Sequence, residues 1–334
     1  MPLNDQARRY LPGGLLVILV GLVLFFAGRI SARPSAGAPA DAQEQGRYRG
    51  AVFTSPFLDG PGAENSDAAL FKVRSRIDEY IHDEQAKDPS LAVSVYVRDL
   101  NRGSWIGIHD RERYLPSSLT KVAILVHTLA REEDAPGVLD AQVVFPGREA
   151  MPGDDSMGDA PDSLRLQAGQ LYSRRDLLRR MIAYSDNHAS QLLMQGVADA
   201  SIADLLYELG AEQLTEGGQY FFDARTTASL LRALYHGSLL SRKHSEFALN
   251  LLTKSFYQQG LRRLLPEAVV VASKFGFHAS LAPDGTPHHE LHECGIVYRS
   301  PDPYVICVMT RTYRGSPDGL DRMVGDISQF VWAP

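Results

Sequence analysis

Cysteine is scarce in this sequence: Cys294 and Cys307 are the only two among 334 residues. That excludes a disulfide framework and a Cys-rich zinc site. A dominant charge is missing as well. Lys and Arg number 34 against 40 Asp and Glu, a net charge of −6, so the chain lacks the basic footprint of a nucleic-acid binder. Histidines do gather at His278, His288, His289 and His292, in a stretch that reads as loop-rich. No acidic partner is spaced to complete a ligand set with them, so neither a metal nor a cofactor is expected.

What is present is enough apolar material, 44% of residues, for one large domain or two modest ones. The run Leu11–Gly28 carries no charge and is flanked by Arg8, Arg9, Arg29 and Arg33. It is long enough to cross a bilayer and reads as an uncleaved signal anchor, with the bulk of the chain outside the cytoplasm at a membrane. The alternative is a cleaved signal peptide and a secreted product. Residues 31–66 are rich in Ala, Gly, Pro and Ser and read as a linker. The domains expected are therefore an anchor at 1–30, a linker at 31–66 and a folded domain at 67–333.

Within that domain, Leu70, Val73, Ile77, Tyr80 and Ile81 keep helical spacing to about His82. Two β-rich runs follow, Leu91–Val97 and Ser104–His109. The stretch from Tyr114 to Leu125 then places a Pro and two Ser ahead of an apolar run, the signature of a helix start. Up to about Leu265 the pattern is helical or loop, with helices at 188–197, 201–209, 226–236 and 242–254 and an exposed loop at 148–163. Ser173-Arg174-Arg175-Asp176 resembles a capping box. Strands return at Ala268–Ser273, Cys294–Tyr298 and Tyr304–Thr310, the last two a hairpin, before a closing helix. The fold expected is α+β: strands from both ends of the domain pair in one antiparallel five-stranded sheet, with an inserted all-α block. Cys294 and Cys307 then flank a hairpin as cross-strand neighbours. Two buried thiols are expected there in preference to a bridge, because adjacent strands strain a disulfide.

Three short motifs stand in order along this outline. Ser118 and Lys121 lie three apart, on one face of a first helical turn. An amine there can take the proton of a hydroxyl that is otherwise a poor nucleophile. Ser185-Asp186-Asn187 follows a Leu/Met-striped helix, and Lys274-Phe275-Gly276 ends the Ala268–Ser273 strand. The Ser-Lys spacing is common by itself, but the ordered trio is specific.

Ser-x-x-Lys, Ser-Asp-Asn and a Lys-Thr-Gly-like triplet resemble the signature of class A β-lactamases and penicillin-binding proteins, over about residues 67–333. The resemblance implies an acyl-enzyme on Ser118, with Lys121 as base and Ser185 as proton relay. Asn187, Lys274 and Gly276 would bind substrate, with the backbone N–H groups of Ser118 and Phe277 as oxyanion hole. The implied substrate is a β-lactam or a D-Ala-D-Ala stem peptide of peptidoglycan. The other reading is a catalytically weak module that binds cell-wall ligands in the same cleft. Two departures bear on this choice. Phe275 stands where the motif has Thr, and the segment Gly210–Gly218 lacks the family's Glu-Leu-Asn pattern, leaving Glu212 or Glu216 as substitutes for its deacylating Glu.

Overall fold

The computed structural model describes residues 68–151, 164–195, 197, 221–282 and 284–333. The expected membrane run, the linker, the 201–209 helix and Glu212 and Glu216 lie outside these residues. Among the described residues no helix is long and apolar enough to cross a membrane.

The elements run α1 (Ala68–Lys87), β1 (Ala92–Asp99), β2 (Trp105–Ile108), a 3-10 turn at Ser117–Leu119, and α2 (Thr120–Asp134). A small ribbon follows, β3 (Gln142–Val144) and β4 (Leu171–Ser173), and then, among the described residues, the helices α3 (Arg174–Ala183), α4 (Asn187–Met194), α5 (Ala224–His236) and α6 (Arg242–Leu252). The chain closes with β5 (Val271–Leu281), β6 (Pro287–Val297), β7 (Tyr304–Thr312) and α7 (Pro317–Trp332). The main sheet is fully antiparallel in the order β2-β1-β7-β6-β5. The α+β architecture with an inserted helical block is therefore as expected.

The sheet separates two cores because its strands alternate. Val93, Val95, Val97, Ile306 and Val308 pack with Val73, Ile77, Val324 and Ile327 of the two terminal helices. Tyr96, Cys307 and Met309 join the other core, with Leu125, Leu129, Leu178, Met181 and Leu231 of the helical block. Each apolar helix stripe is thus buried against one sheet face, the arrangement that removes most apolar area from water. The Ser173 cap is realised, its hydroxyl accepting from the Asp176 N–H.

Three expectations need correction. The histidine-rich stretch is not loop: β5 and β6 form one long hairpin with paired register from Val271↔Val297 to Leu281↔Pro287. Lys274-Phe275-Gly276 consequently lies inside β5, where a strand end was expected. Polar residues that break apolar alternation on β6 are buried all the same, held by partners far away in sequence. Cys294 and Cys307 are joined by a disulfide, where two thiols were expected. They sit directly opposite each other in the β6–β7 ladder, with Cα atoms 3.9 Å apart, so the strand register itself brings the two sulfurs within bonding reach.

Candidate active site

Ser118 sits in the 3-10 turn that leads into α2. Leu119 N–H closes the turn on Pro116 O at 2.9 Å, and the Thr120 hydroxyl donates to Ser117 O at 2.8 Å. Ser117 has φ +48°, a left-handed conformation that costs a non-glycine residue on the order of 1–3 kcal/mol and persists only when its surroundings hold it. Lys121 lies one turn on, with its side chain buried between α2 and the α3–α4 junction.

That junction carries the second motif. Met181 and Ile182 fix α3 in the core, the chain turns through Ser185 at φ +59°, and Asp186 caps α4 by accepting from Ala189 N–H at 3.0 Å. The cap aims Ser185 and Asn187 at Lys121. Lys121 Nζ meets the Ser185 carbonyl at 2.5 Å, Asn187 Oδ1 at 2.6 Å, Ser118 Oγ at 2.9 Å and Ser185 Oγ at 3.1 Å. The Ser185 hydroxyl in turn donates to Ser118 Oγ at 2.9 Å and accepts from Lys274 Nζ at 3.0 Å. Residues from three separate parts of the chain thus share one hydrogen-bonded cluster.

The amines are the unusual members. Burial pulls Lys121 down to about 7, with the nearby Asp186 partly opposing the shift. Burial likewise pushes Lys274 well below the ordinary lysine range, and the Lys121 cation pushes the same way. A neutral Lys121 has two hydrogens and one lone pair. The Ser185 carbonyl and Asn187 Oδ1 accept the two hydrogens, since neither can donate, and the lone pair is left for the Ser118 hydroxyl. Desolvation by burial therefore supplies the shift that frees Lys121 to act as a base. Lys274 is fully buried behind Ser185, not displayed as a surface charge.

Gly276 brings β5 against the nucleophile's turn. A Cβ there would lie 2.9 Å from Pro116 O and 3.3 Å from Ser118 N, so glycine is required for this approach. Phe277 follows on the same strand, its side chain 43% exposed. Phe275 stacks on Tyr257 at 4.3 Å and meets Phe256 edge-on at 5.7 Å, and Lys274 Nζ lies 4.2 Å from its ring centre. The sequence showed Phe275 as a departure from the motif. It gave no sign that Phe256 and Tyr257, on a loop after α6, would build an aromatic wall around it. Among the described residues no group of three or more His, Cys, Asp or Glu is placed to hold a metal ion.

A Ser-Lys-Ser cluster where a sheet edge meets an inserted helical block defines a serine-hydrolase type of fold. The chain belongs to the β-lactamase enzyme family, whose model matches residues 72–333. Solved structures share the architecture. The TLA-1 extended-spectrum β-lactamase superposes with a TM-score of 0.67 at 19% identity, over 78% of this chain and 97% of that one. PBP-A gives 0.66 at 18%, over 82% and 97%. A β-lactamase from Sphaerobacter thermophilus gives 0.63 at 20%, over 77% and 95%. Comparison with curated protein sequences gave no match.

Proposed function

We propose that the chain is a serine hydrolase that forms an acyl-enzyme on Ser118 with a β-lactam or a D-Ala-D-Ala stem peptide. The observation that carries this reading is the position of Ser118 Oγ, 2.9 Å from both Lys121 Nζ and Ser185 Oγ. Neutral Lys121 takes the hydroxyl proton as Ser118 Oγ bonds to the substrate carbonyl carbon. The resulting oxyanion is received by the backbone N–H groups of Ser118 and Phe277, a device worth on the order of 3–4 kcal/mol per donor. Collapse breaks the carbon–nitrogen bond, and Ser185 passes a proton from the amine cluster to the leaving nitrogen. Asn187 and Gly276 border the bound substrate, and Lys274 holds the Ser185 hydroxyl in line. A solved PBP-A variant is an acyl-enzyme complex with penicillin G, which supports the same first step here. Deacylation rests on a base that the motifs do not supply, so a slowly released adduct is part of the proposal.

The apolar run at Leu11–Gly28 is assigned as a single-pass membrane anchor, residues 31–66 as its linker and 67–333 as an extracytoplasmic hydrolase domain. The Cys294–Cys307 disulfide supports an oxidising compartment. The test is to incubate the full-length chain with a penicillin and weigh it intact. A mass gain of one penicillin that disappears in Ser118→Ala supports the proposal. Phe275 favours a second reading, a module that binds without reacting. Saturable penicillin binding with no mass gain and no turnover would establish that reading instead.

A further inference from the structure

Two buried polar side chains on β6 take no part in the chemistry above. Glu290 is 2% exposed and His292 is 0% exposed, so neither reaches a substrate. Both grip the backbone of one residue, on the two peptide groups that flank it. Leu115 N–H donates to Glu290 Oε2 at 2.9 Å, and His292 Nε2 meets Leu115 O at 3.0 Å. Thr310 N–H donates to His292 Nδ1 at 3.2 Å. That nitrogen is therefore the acceptor, and the ring hydrogen lies on Nε2, facing Leu115 O. Glu290 Oε2 also lies 3.3 Å from His292 Nε2, and Glu290 Oε1 lies 3.1 Å from His288 Nε2. The edge of the Tyr114 ring packs on His292 at 5.2 Å, and Tyr114 is itself bridged to Phe222 through both backbone groups.

We infer that Glu290 and His292 are a positioning pair: by clamping the Leu115 backbone from both sides they hold the strained Ser117 turn and so aim Ser118. Only Pro116 and Ser117 separate the clamped residue from the nucleophile. Proline has a fixed φ and no N–H, so a tilt of the Leu115 peptide passes through few free torsions before it reaches Ser117 at φ +48°. On its far side that residue is pinned by Thr120 and by the Leu119 bond to Pro116. On its near side the pin is the clamp. Releasing it lets the turn relax, and a displacement of about 1 Å at reacting atoms is enough to cost roughly 100-fold in rate. Glu290 Oε2 faces a backbone donor that has no replacement when that oxygen is removed, which makes the clamp one-sided in chemistry: an acceptor is needed at 290 and a donor at 292.

The inference rests on Ser118 being acylated. Its test uses the full-length chain, a fluorescent penicillin, and the variants Glu290→Gln, Glu290→Leu, His292→Gln and His292→Leu. Single-turnover kinetics separate the acylation rate constant from the prior binding constant. Gln keeps an acceptor at 290 and a donor at 292, so both Gln variants are expected within about threefold of the parent. The Leu variants are expected to lose roughly 10–100-fold in acylation rate, with the binding constant changed by less than about threefold. Equal losses in the Gln and Leu variants, or losses confined to binding, would overturn the clamp. So would Leu variants that lower the melting temperature and leave the acylation rate of the folded fraction intact. Where a Leu variant does not fold, Glu290→Ala and His292→Ala serve in its place, and folded Ala variants acylating at the parental rate overturn the pair equally. A parent chain that penicillin never labels sinks the acylation proposal itself, and the positioning role falls with it.

Discussion

The pH dependence of Ser118 acylation tests the role of Lys121 most directly. Burial lowers the Lys121 amine from 10.5 to about 7. An unshifted lysine at pH 7 is neutral in only about one molecule in 3,000, whereas an amine with a pKa of 7 is neutral in about half. The fold therefore raises the base-competent fraction roughly a thousandfold, equivalent to about 4–5 kcal/mol of differential interaction between charged and neutral forms. Log acylation rate should rise with unit slope up to about pH 7 and then level off, measured with a fluorescent penicillin under single-turnover conditions.

Stability must bear the opposite face of the same shift. Between about 7 and 10.5 the unfolded chain still binds the proton that the folded chain has released, so stability rises with pH across that window. Below about pH 7 the full cost of burying the charge is present. Lys121→Met removes the group, so the slope in that window should flatten when denaturant unfolding is followed against pH, while acylation is lost. A rate that keeps climbing with unit slope beyond pH 9 would show an ordinary lysine and refute the desolvation argument. A rate independent of pH from about 5.5 to 9 would show that another group takes the proton.

Asp186 opposes the Lys121 shift and also caps α4. Asp186→Asn keeps the cap and removes the charge, so the midpoint of the acylation profile should fall, whereas Asp186→Ala should also cost about 1 kcal/mol of stability in denaturant melts. Gly276→Ala places a methyl group against Pro116 O and Ser118 N; acylation should drop roughly 10–100-fold in the same kinetic assay, and because the clash is with backbone the melting temperature should fall as well. Phe275→Thr restores a hydroxyl beside Lys274. The ratio of acylation efficiencies for a free-carboxylate β-lactam over its methyl ester should rise by about 10-fold or more, and an unchanged ratio would show that the aromatic wall does not face the substrate.

Much of this was legible in the chain because the decisive residues announce themselves locally. The Ser118–Lys121 spacing implied a shared helix face, and the Leu/Met stripe that stops before Ser185-Asp186-Asn187 marked the end of α3. Even so, Ser118 belongs to a 3-10 turn before α2, where local sequence suggested the cap of an α-helix. The reason is tertiary: Gly276 and Leu115 fix the turn from outside it. The β5–β6 hairpin was hidden for a related reason. Strand signals rest on apolar alternation, and Glu290, His292 and Glu293 break that alternation while being buried. Each is tolerated because a distant group completes its hydrogen bonds: Leu115 for the first two, and Ser273 with the Leu261 N–H for Glu293.

That failure has a consistent physical meaning. A buried polar residue on a strand is unfavourable unless it is paired, so wherever β6 departs from the apolar pattern it records a partner elsewhere in the fold. Glu293 receives the Ser273 hydroxyl on the strand that carries Lys274, and burial raises its carboxyl above the usual carboxylate range. Glu290 and His292 record the backbone two residues ahead of Ser117. Glu290 and His292 therefore lie behind the nucleophile's turn, and Glu293 lies behind the strand that carries Lys274. Glu290 and His292, which spoiled the strand reading, are also the pair inferred to set the nucleophile's turn, because both facts follow from placing hydrogen-bonding side chains where an ordinary sheet would place valine.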